Sequence, residues 1–378
     1  MRLHLGGVYF ASFGVLGAVA PYLALDLQSR GLSGWALALS MGALPFGRLV
    51  AGPVWSLLAD RYQAGGRILR FAAVVAMVGT LGIVTLPVTS ALLAVLVMAM
   101  GRAPMGPVVD TMTLRSLGDQ KLAYGRVRLW GSAGFLVFTL VAAALRDGVG
   151  ASPLWVGVAL SGLLVLQTSR LPAGDRLERV EVGPALRVLA RDAPLRWILV
   201  ASALHFAAHV GSTAFLAVHV DRLGLPTLWT GCALALGVGV EIVLMSQSSR
   251  VLRRVGPERL FVFSILLSIP RWLVMHHTDS AWILVAQQAF HGVTFGGFWL
   301  AGVAMVEKRA PERVSTSAQG LFSAAVGGVG ALLGMVAGAR IVDVHGTRAL
   351  FLWMALAAAV AVLCAWRSAW LSRASVRG

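Results

Sequence analysis

Apolar runs of about 20 residues recur from one end of this chain to the other, each long enough to cross the hydrocarbon core of a bilayer. In lipid the backbone must satisfy its own hydrogen bonds, which leaves α-helices or a closed β-barrel. Barrel strands alternate in polarity over about 10 residues, whereas these runs are continuous and longer, so helices are expected. Composition agrees: of 378 residues, 58% are hydrophobic and 13% charged, far from the ~25% charged of soluble domains.

The runs fall near 5–27, 35–58, 69–87, 91–113, 127–146, 152–169, 196–219, 227–249, 260–276, 280–305, 317–339 and 348–370. The predicted fold class is an all-α membrane protein with twelve transmembrane helices in two pseudo-symmetric six-helix bundles. One long charged connection, 170–195, separates an N-terminal bundle (1–169) from a C-terminal bundle (196–378). The second half of that linker reads as a short interfacial helix, with Leu186, Leu189 and Ala190 apolar and Arg187 and Arg191 polar. Paired bundles of this kind rock about a central site.

The net charge of +16 does not indicate nucleic acid, because the cations sit in short loops between apolar runs rather than on one soluble face. Their distribution sets the orientation. With the N-terminus cytoplasmic, the inner segments hold 23 Lys and Arg, while the outer loops hold five: Arg30, Arg146, Arg222, Arg340 and Arg348. An inner (plasma) membrane protein with both termini cytoplasmic is expected. Cys232 and Cys364 lie inside apolar runs without CxxC spacing and read as small core residues. No cleavable signal is evident, since Met1–Leu5 lead straight into the first run.

Ionisable groups at bilayer depth are functional candidates by default. Here they are Arg48, Arg102, Asp110, Arg128, Glu241, Arg271, His205, His209 and His291. Arg48 is read as a structural partner for helix ends or carbonyls, whereas Arg102 and His205 have no assigned role. Asp26 is placed at the interface. Asp110 and Arg128 lie near the junction of the fourth and fifth runs, where antiparallel helices bring them to similar depth. Ser132 and Phe135 follow Arg128 on the same stripe. His205 and His209 are one turn apart, but without a third ligand nearby a metal site is not expected.

The segment Gly52-PVWSLLA-Asp60-Arg61-YQAGG-Arg67 resembles the cytoplasmic signature of the major facilitator superfamily, G-x-x-x-D-R-x-G-R. Here the glycine lies farther from the acid, and the tail is loosened. A weak echo follows the eighth run, in Arg250-VLRRVGPER. Pro21-YLALDLQSRGLS, Tyr124-GRVRLWGSAGF, Leu236-GVGVEI and Gln288-AFHGVTFGGF resemble the lactose permease and phenylpropionate permease branch.

That resemblance implies substrate binding by Asp110 and Arg128; Ser132 and Phe135 on the stripe of Arg128, with His209 and Phe298, are read as further substrate contacts. It implies proton coupling and substrate affinity from Glu241, Arg271 and His291, and gating by Gly52, Asp60, Arg61 and Arg67. Gln287, His291, Thr294 and Phe298 form a stripe at helical spacing. The branch's proton-carrying glutamate is replaced by Thr294 and its lysine by Gln288, so the coupling circuit is incomplete, although Glu241 or His291 can still titrate.

The resulting expectation is a proton-coupled uptake symporter for a small organic solute such as an aromatic acid, sugar or nucleoside. It is expected to be a monomer, without cofactor or metal, and not an enzyme. A proton-driven exporter on the same fold is the alternative; exporters carry G-x(6)-G-P-x-x-G-G in the fifth run, which here has Gly131 and Gly134 but no proline. A polytopic enzyme or sensor is the remote alternative, since no HExxH, DxD or nucleophile elbow is present.

Overall fold

The computed structural model describes residues 2–62, 65–117, 124–172, 192–309 and 315–377. Most of the 170–195 linker therefore lies outside the described residues, as do the side chains of Asp60 and Arg61.

In the first half the helices are α1 (Arg2–Val19), α2 (Leu23–Ser29), α3 (Gly34–Tyr62), α4 (Gly65–Thr85), α5 (Ala91–Arg102), α6 (Met105–Leu117), α7 (Tyr124–Val149) and α8 (Leu154–Ser169). The second half holds α9 (Ala193–Arg222), α10 (Leu228–Ser246), α11 (Ser248–Val255), α12 (Pro257–His277), α13 (Ala281–Ala286), α14 (Phe298–Arg309), α15 (Ser315–Ser323) and α16 (Ala331–Arg377). No strand occurs among the described residues.

Among the described residues eight helices are long and apolar enough to cross a membrane, and the pair His4–Val19 and Leu23–Ser29, bent by 41°, makes a ninth if it is one span. The twelve expected crossings are reached only with three further readings. The apolar segments Val88–Arg102 and Leu154–Ser169 are shorter. Ala318–Ser372 is 55 residues long, roughly 80 Å at 1.5 Å per residue, enough to cross a 30 Å core twice. It turns at Gly346, whose φ of 84° is open to glycine and strained for other residues.

The surface is that of a lipid-facing protein. Along α16, Trp353, Leu356, Val360, Leu363 and Trp370 are exposed, while Ala355, Ala358, Ala361 and Ala365 are buried. The bulky stripe thus points outward and the small one inward, the reverse of a water-facing amphipathic helix.

Contacts gather the chain into two units, Met1–Arg179 with Ala214–Ala235, and Val180–Thr213 with Leu236–Gly378. In the first, α1 packs on α7 and α8, and α5 packs on α3 and α4. Small residues allow the backbones to approach, as between membrane helices generally. A Cβ at Gly134 would overlap the Phe10 carbonyl oxygen, and one at Gly47 would lie 2.7 Å from the Ala99 Cβ. The Tyr22 hydroxyl also donates to the Thr139 carbonyl at 2.7 Å.

Segment 214–235 belongs to the first unit partly through Asp147, which accepts from the Thr227 and Leu228 N–H groups at 2.9 and 2.7 Å. These are orphan donors where α10 begins, and a carboxylate is favoured there. Arg146 and Asp221 form an ion pair at 3.5 Å beside them.

Asp26, expected at an interface, is only 4% exposed and pairs with Arg30 at 3.6 Å. Arg30 in turn donates to the carbonyls of Ile83 and Leu86 at the end of α4, where a cation suits the helix dipole.

In the second unit, α12 packs on α14 and α16. A buried cluster including Leu260, Phe261, Phe298, Ala301 and Phe322 forms its core. The stretch between α13 and α14 is not a regular α-helix: a 3₁₀ turn spans Gln287–Phe290 and a π-helical turn spans Gly292–Gly297.

Candidate functional site

In the first unit the polar residues meet around α1. The Tyr9 hydroxyl donates to Asp110 Oδ1 in a short contact. The Arg128 guanidinium lies over the rings of Phe13, at 4.0 Å, and Tyr9, at 5.5 Å. Asp110 on α6 and Arg128 on α7 are therefore joined through Tyr9. Stacking on two aromatic faces holds the guanidinium in place and leaves its edge for planar recognition of a partner. Ser132 and Phe135 lie farther along α7, both half-buried. Tyr9 and Phe13 were not singled out from the sequence. Their four-residue spacing on the first run was the available signal, hidden among other aromatics.

In the second unit the arrangement centres on Arg271 of α12, which is 3% exposed. Its Nε donates to Gln287 Oε1 at 2.9 Å, Nη1 to the Thr294 hydroxyl at 2.8 Å and Nη2 to Gln288 Oε1 at 2.5 Å. The Trp272 ring lies 4.4 Å from the guanidinium carbon. A buried cation is thus held by three neutral acceptors. Two of them, Gln288 and Thr294, are the positions that depart from the branch's lysine and glutamate.

The π-helical turn explains why one residue serves so many neighbours. Its widened register leaves the Thr294 carbonyl to accept from His205 Nε2 at 2.8 Å. A carbonyl only accepts, so His205 carries its proton on Nε2. The Thr294 hydroxyl donates to the Phe290 carbonyl at 3.0 Å while accepting from Arg271.

His291 Nε2 lies 3.7 Å from Glu241 Oε2, within ion-pair range and slightly long for a hydrogen bond. The two side chains are 13% and 23% exposed, respectively, so both remain accessible. His209 is 2% exposed, and neither ring nitrogen has a hydrogen-bond partner. Its ring sits 4.9 Å from His291 and 5.4 Å from Phe295, centroid to centroid. Leaving such a buried donor and acceptor unmade costs about 1–3 kcal/mol each, so the site has room for a hydrogen-bonding partner from water or a solute.

Phe298 is fully buried against Phe261 and His205. Of the gating residues, Gly52 has open space around it and Arg67 is exposed. Among the described residues no three His, Cys, Asp or Glu side chains are grouped to hold a metal.

A groove of about 400 Å³ lies beside this cluster, with Arg271 and Gln287 at its floor. Its other walls, including Val274, Ile283 and Phe290, are apolar and belong to the exposed hydrophobic surface. It is a lateral crevice in the lipid-facing wall.

The comparisons with known proteins agree with this architecture. The chain is 29% identical over 367 residues to a maltose permease of Geobacillus stearothermophilus, covering 94% of this chain and 91% of the relative. It is 26% identical over 343 residues to a probable 3-phenylpropionic acid transporter of Escherichia coli, covering 87% and 88%. Among solved structures, the nucleoside transporter NupG superposes with a TM-score of 0.85 at 18% identity, covering 97% of this chain and 98% of that one; the NupG permease of Escherichia coli is 22% identical in sequence, covering 93% and 90%. The model of the MFS_1 like family matches residues 2–353. The chain belongs to that family and is a membrane-embedded permease of the major facilitator type.

Proposed function

We propose that this permease takes up a small organic solute together with a proton, by alternating access. The observation that supports coupling most directly is the facing pair of Glu241 and His291, Oε2 to Nε2 at 3.7 Å. Glu241 lies inside α10, whereas Asp192, Glu258 and Asp279 of the same unit pair with cations near helix ends. A titratable pair at membrane depth beside a fixed cation is what a proton carrier needs.

In the first unit Asp110 and Arg128 serve as the polar contacts for the solute, with Ser132 and Phe135 as further contacts; in the second unit His209 is the candidate contact. Gly52, Asp60, Arg61 and Arg67 serve the cytoplasmic gate. The chain works as a monomer in the inner (plasma) membrane, with both termini and the 170–195 linker cytoplasmic. A periplasm-only reporter fused after Arg373 should therefore be silent; activity there would overturn the orientation.

The names of the relatives suggest the solutes to try: maltose, nucleosides and 3-phenylpropionate. Purified protein should be stabilised by one of them, by about 2.7 kcal/mol at a hundredfold excess over Kd. Proteoliposomes should concentrate that solute when the outside is acidic. Export under the same gradient would favour an exporter.

A further inference from the structure

The first unit carries two guanidinium groups that the mechanism above does not use. Arg48 sits at the centre of α3 (Gly34–Tyr62), about 21 Å from either end at 1.5 Å per residue, too far for its side chain to snorkel to a headgroup. Arg102 ends α5, where the fourth run is interrupted. Pro104 causes that break, because it offers no N–H to the Met100 carbonyl. The Ala103 N–H and the Trp55 indole N–H take that carbonyl instead, at 3.3 and 2.9 Å.

The crossing at Gly47 brings the two arginines together. A Cβ on Gly47 would lie 2.7 Å from the Ala99 Cβ and 3.3 Å from the Met100 nitrogen. Arg48 follows that contact on α3, and Arg102 lies one turn past Ala99 on α5.

Neither cation has an acid partner among the described residues. Arg102 Nη2 donates to the Ser12 carbonyl at 3.0 Å, but Nη1 is buried and has no acceptor. Arg48 is exposed and has no hydrogen bond or ion pair among the described residues. The dipole at the end of α5 favours a cation at Arg102, yet it offsets only a fraction of the cost of two adjacent charges at this depth. Ser12 lies on α1 between Tyr9 and Phe13, the residues that meet Asp110 and Arg128. The pair is therefore continuous with the proposed solute contacts.

We propose that Arg48 and Arg102 bind the oxyanion of the transported solute, a carboxylate or phosphate, and so make this a carrier of organic anions. The inference rests on the permease reading. Two guanidinium forks present parallel N–H donors that match such an oxyanion, and the free Nη1 of Arg102 supplies an unused one. The oxyanion removes the repulsion between the two arginines as it enters.

The test uses the full chain in an uncharged detergent at constant ionic strength. Thermal-shift titrations compare 3-phenylpropionate and benzoate with their neutral amides, with phenyl phosphate, and with maltose and uridine. At least one oxyanion should stabilise the protein at a concentration at least tenfold below that of its neutral counterpart or of the sugars. Arg48→Gln and Arg102→Gln should each weaken that effect at least tenfold, Arg102→Lys should fall between, and Arg340→Gln should match wild type. Arg48 is exposed, so its variant carries the test if Arg102→Gln does not fold.

Stabilisation by maltose or uridine alone, by nothing in the panel, or by oxyanions equally in the arginine variants overturns the proposal. Displacement of the oxyanion by added phosphatidylglycerol would assign the site to lipid and overturn it as well. Concentrative uptake of maltose or uridine, unchanged in the variants, would defeat this inference and leave the permease reading standing. Oxyanion binding without uptake of any compound would defeat the proposed uptake instead.

Discussion

The Arg271 guanidinium donates to the Thr294 hydroxyl at 2.8 Å, at the position where the resemblance to lactose permease-like proteins leads one to expect a glutamate. A neutral acceptor thus stands where a counter-ion would be, and among the described residues the buried guanidinium is held by hydrogen bonds without an ion pair. Such a cation depends on every one of its hydrogen bonds.

The first prediction follows from that dependence. Thr294→Val and Gln288→Leu each leave a guanidinium N–H unsatisfied in a buried site, which costs about 1–3 kcal/mol. Each variant should unfold at lower temperature than wild type in detergent. Unchanged thermal stability in both would mean that water or a rearranged side chain replaces the lost acceptor.

The helix crossings make a second prediction. A methyl at Gly134 would meet the Phe10 carbonyl, whereas a methyl at Gly162 meets nothing. Gly134→Ala should therefore destabilise the protein by about 1–3 kcal/mol through forced separation of α1 and α7. Gly162→Ala should be neutral or slightly stabilising, as alanine is the better helix former. Equal behaviour of the two in thermal unfolding would show that the α1–α7 crossing is looser than its geometry.

Asp110 and Arg128 supply the third. Asp110→Asn and Arg128→Ala should each abolish solute-dependent thermal stabilisation while leaving extractable, folded protein. Exchanging the two residues should not restore binding, since the stacked planar fork over Phe13 and Tyr9 matters as well as its sign. Wild-type binding in either single variant would reduce the pair to a structural role.

Much of this arrangement is legible in the sequence because lipid imposes a coarse and unforgiving rule on chain composition. The long apolar runs and their interruptions predict the helices, and the depth of Glu241, Arg271 and His291 within them predicts that they are special. What the sequence conceals comes from departures from ideal periodicity. The stripe Gln287, His291, Thr294 and Phe298 assumes a regular helix. The 3₁₀ and π-helical turns instead turn Gln287, Gln288 and Thr294 toward Arg271 and bury Phe298 in the core. Tyr9 was hidden for a different reason: its role depends on Asp110, which is a hundred residues away in the chain and reached only by packing α1 on α6.

The central claim is that Glu241 carries the coupled proton, with His291 beside it. Glu241 is taken to hold its proton while solute is bound and to release it to the cytoplasm once solute has left. Glu241→Gln keeps the size and hydrogen-bonding capacity of the side chain but has no proton to give up. The decisive measurement is uptake into proteoliposomes by wild type and Glu241→Gln, with and without an inwardly directed proton gradient. Glu241→Gln should exchange solute at equal concentrations across the membrane as wild type does, and should lose gradient-driven accumulation. Wild-type accumulation by Glu241→Gln would contradict the account and move the proton to His291 or Asp110; loss of exchange as well would make Glu241 a binding residue.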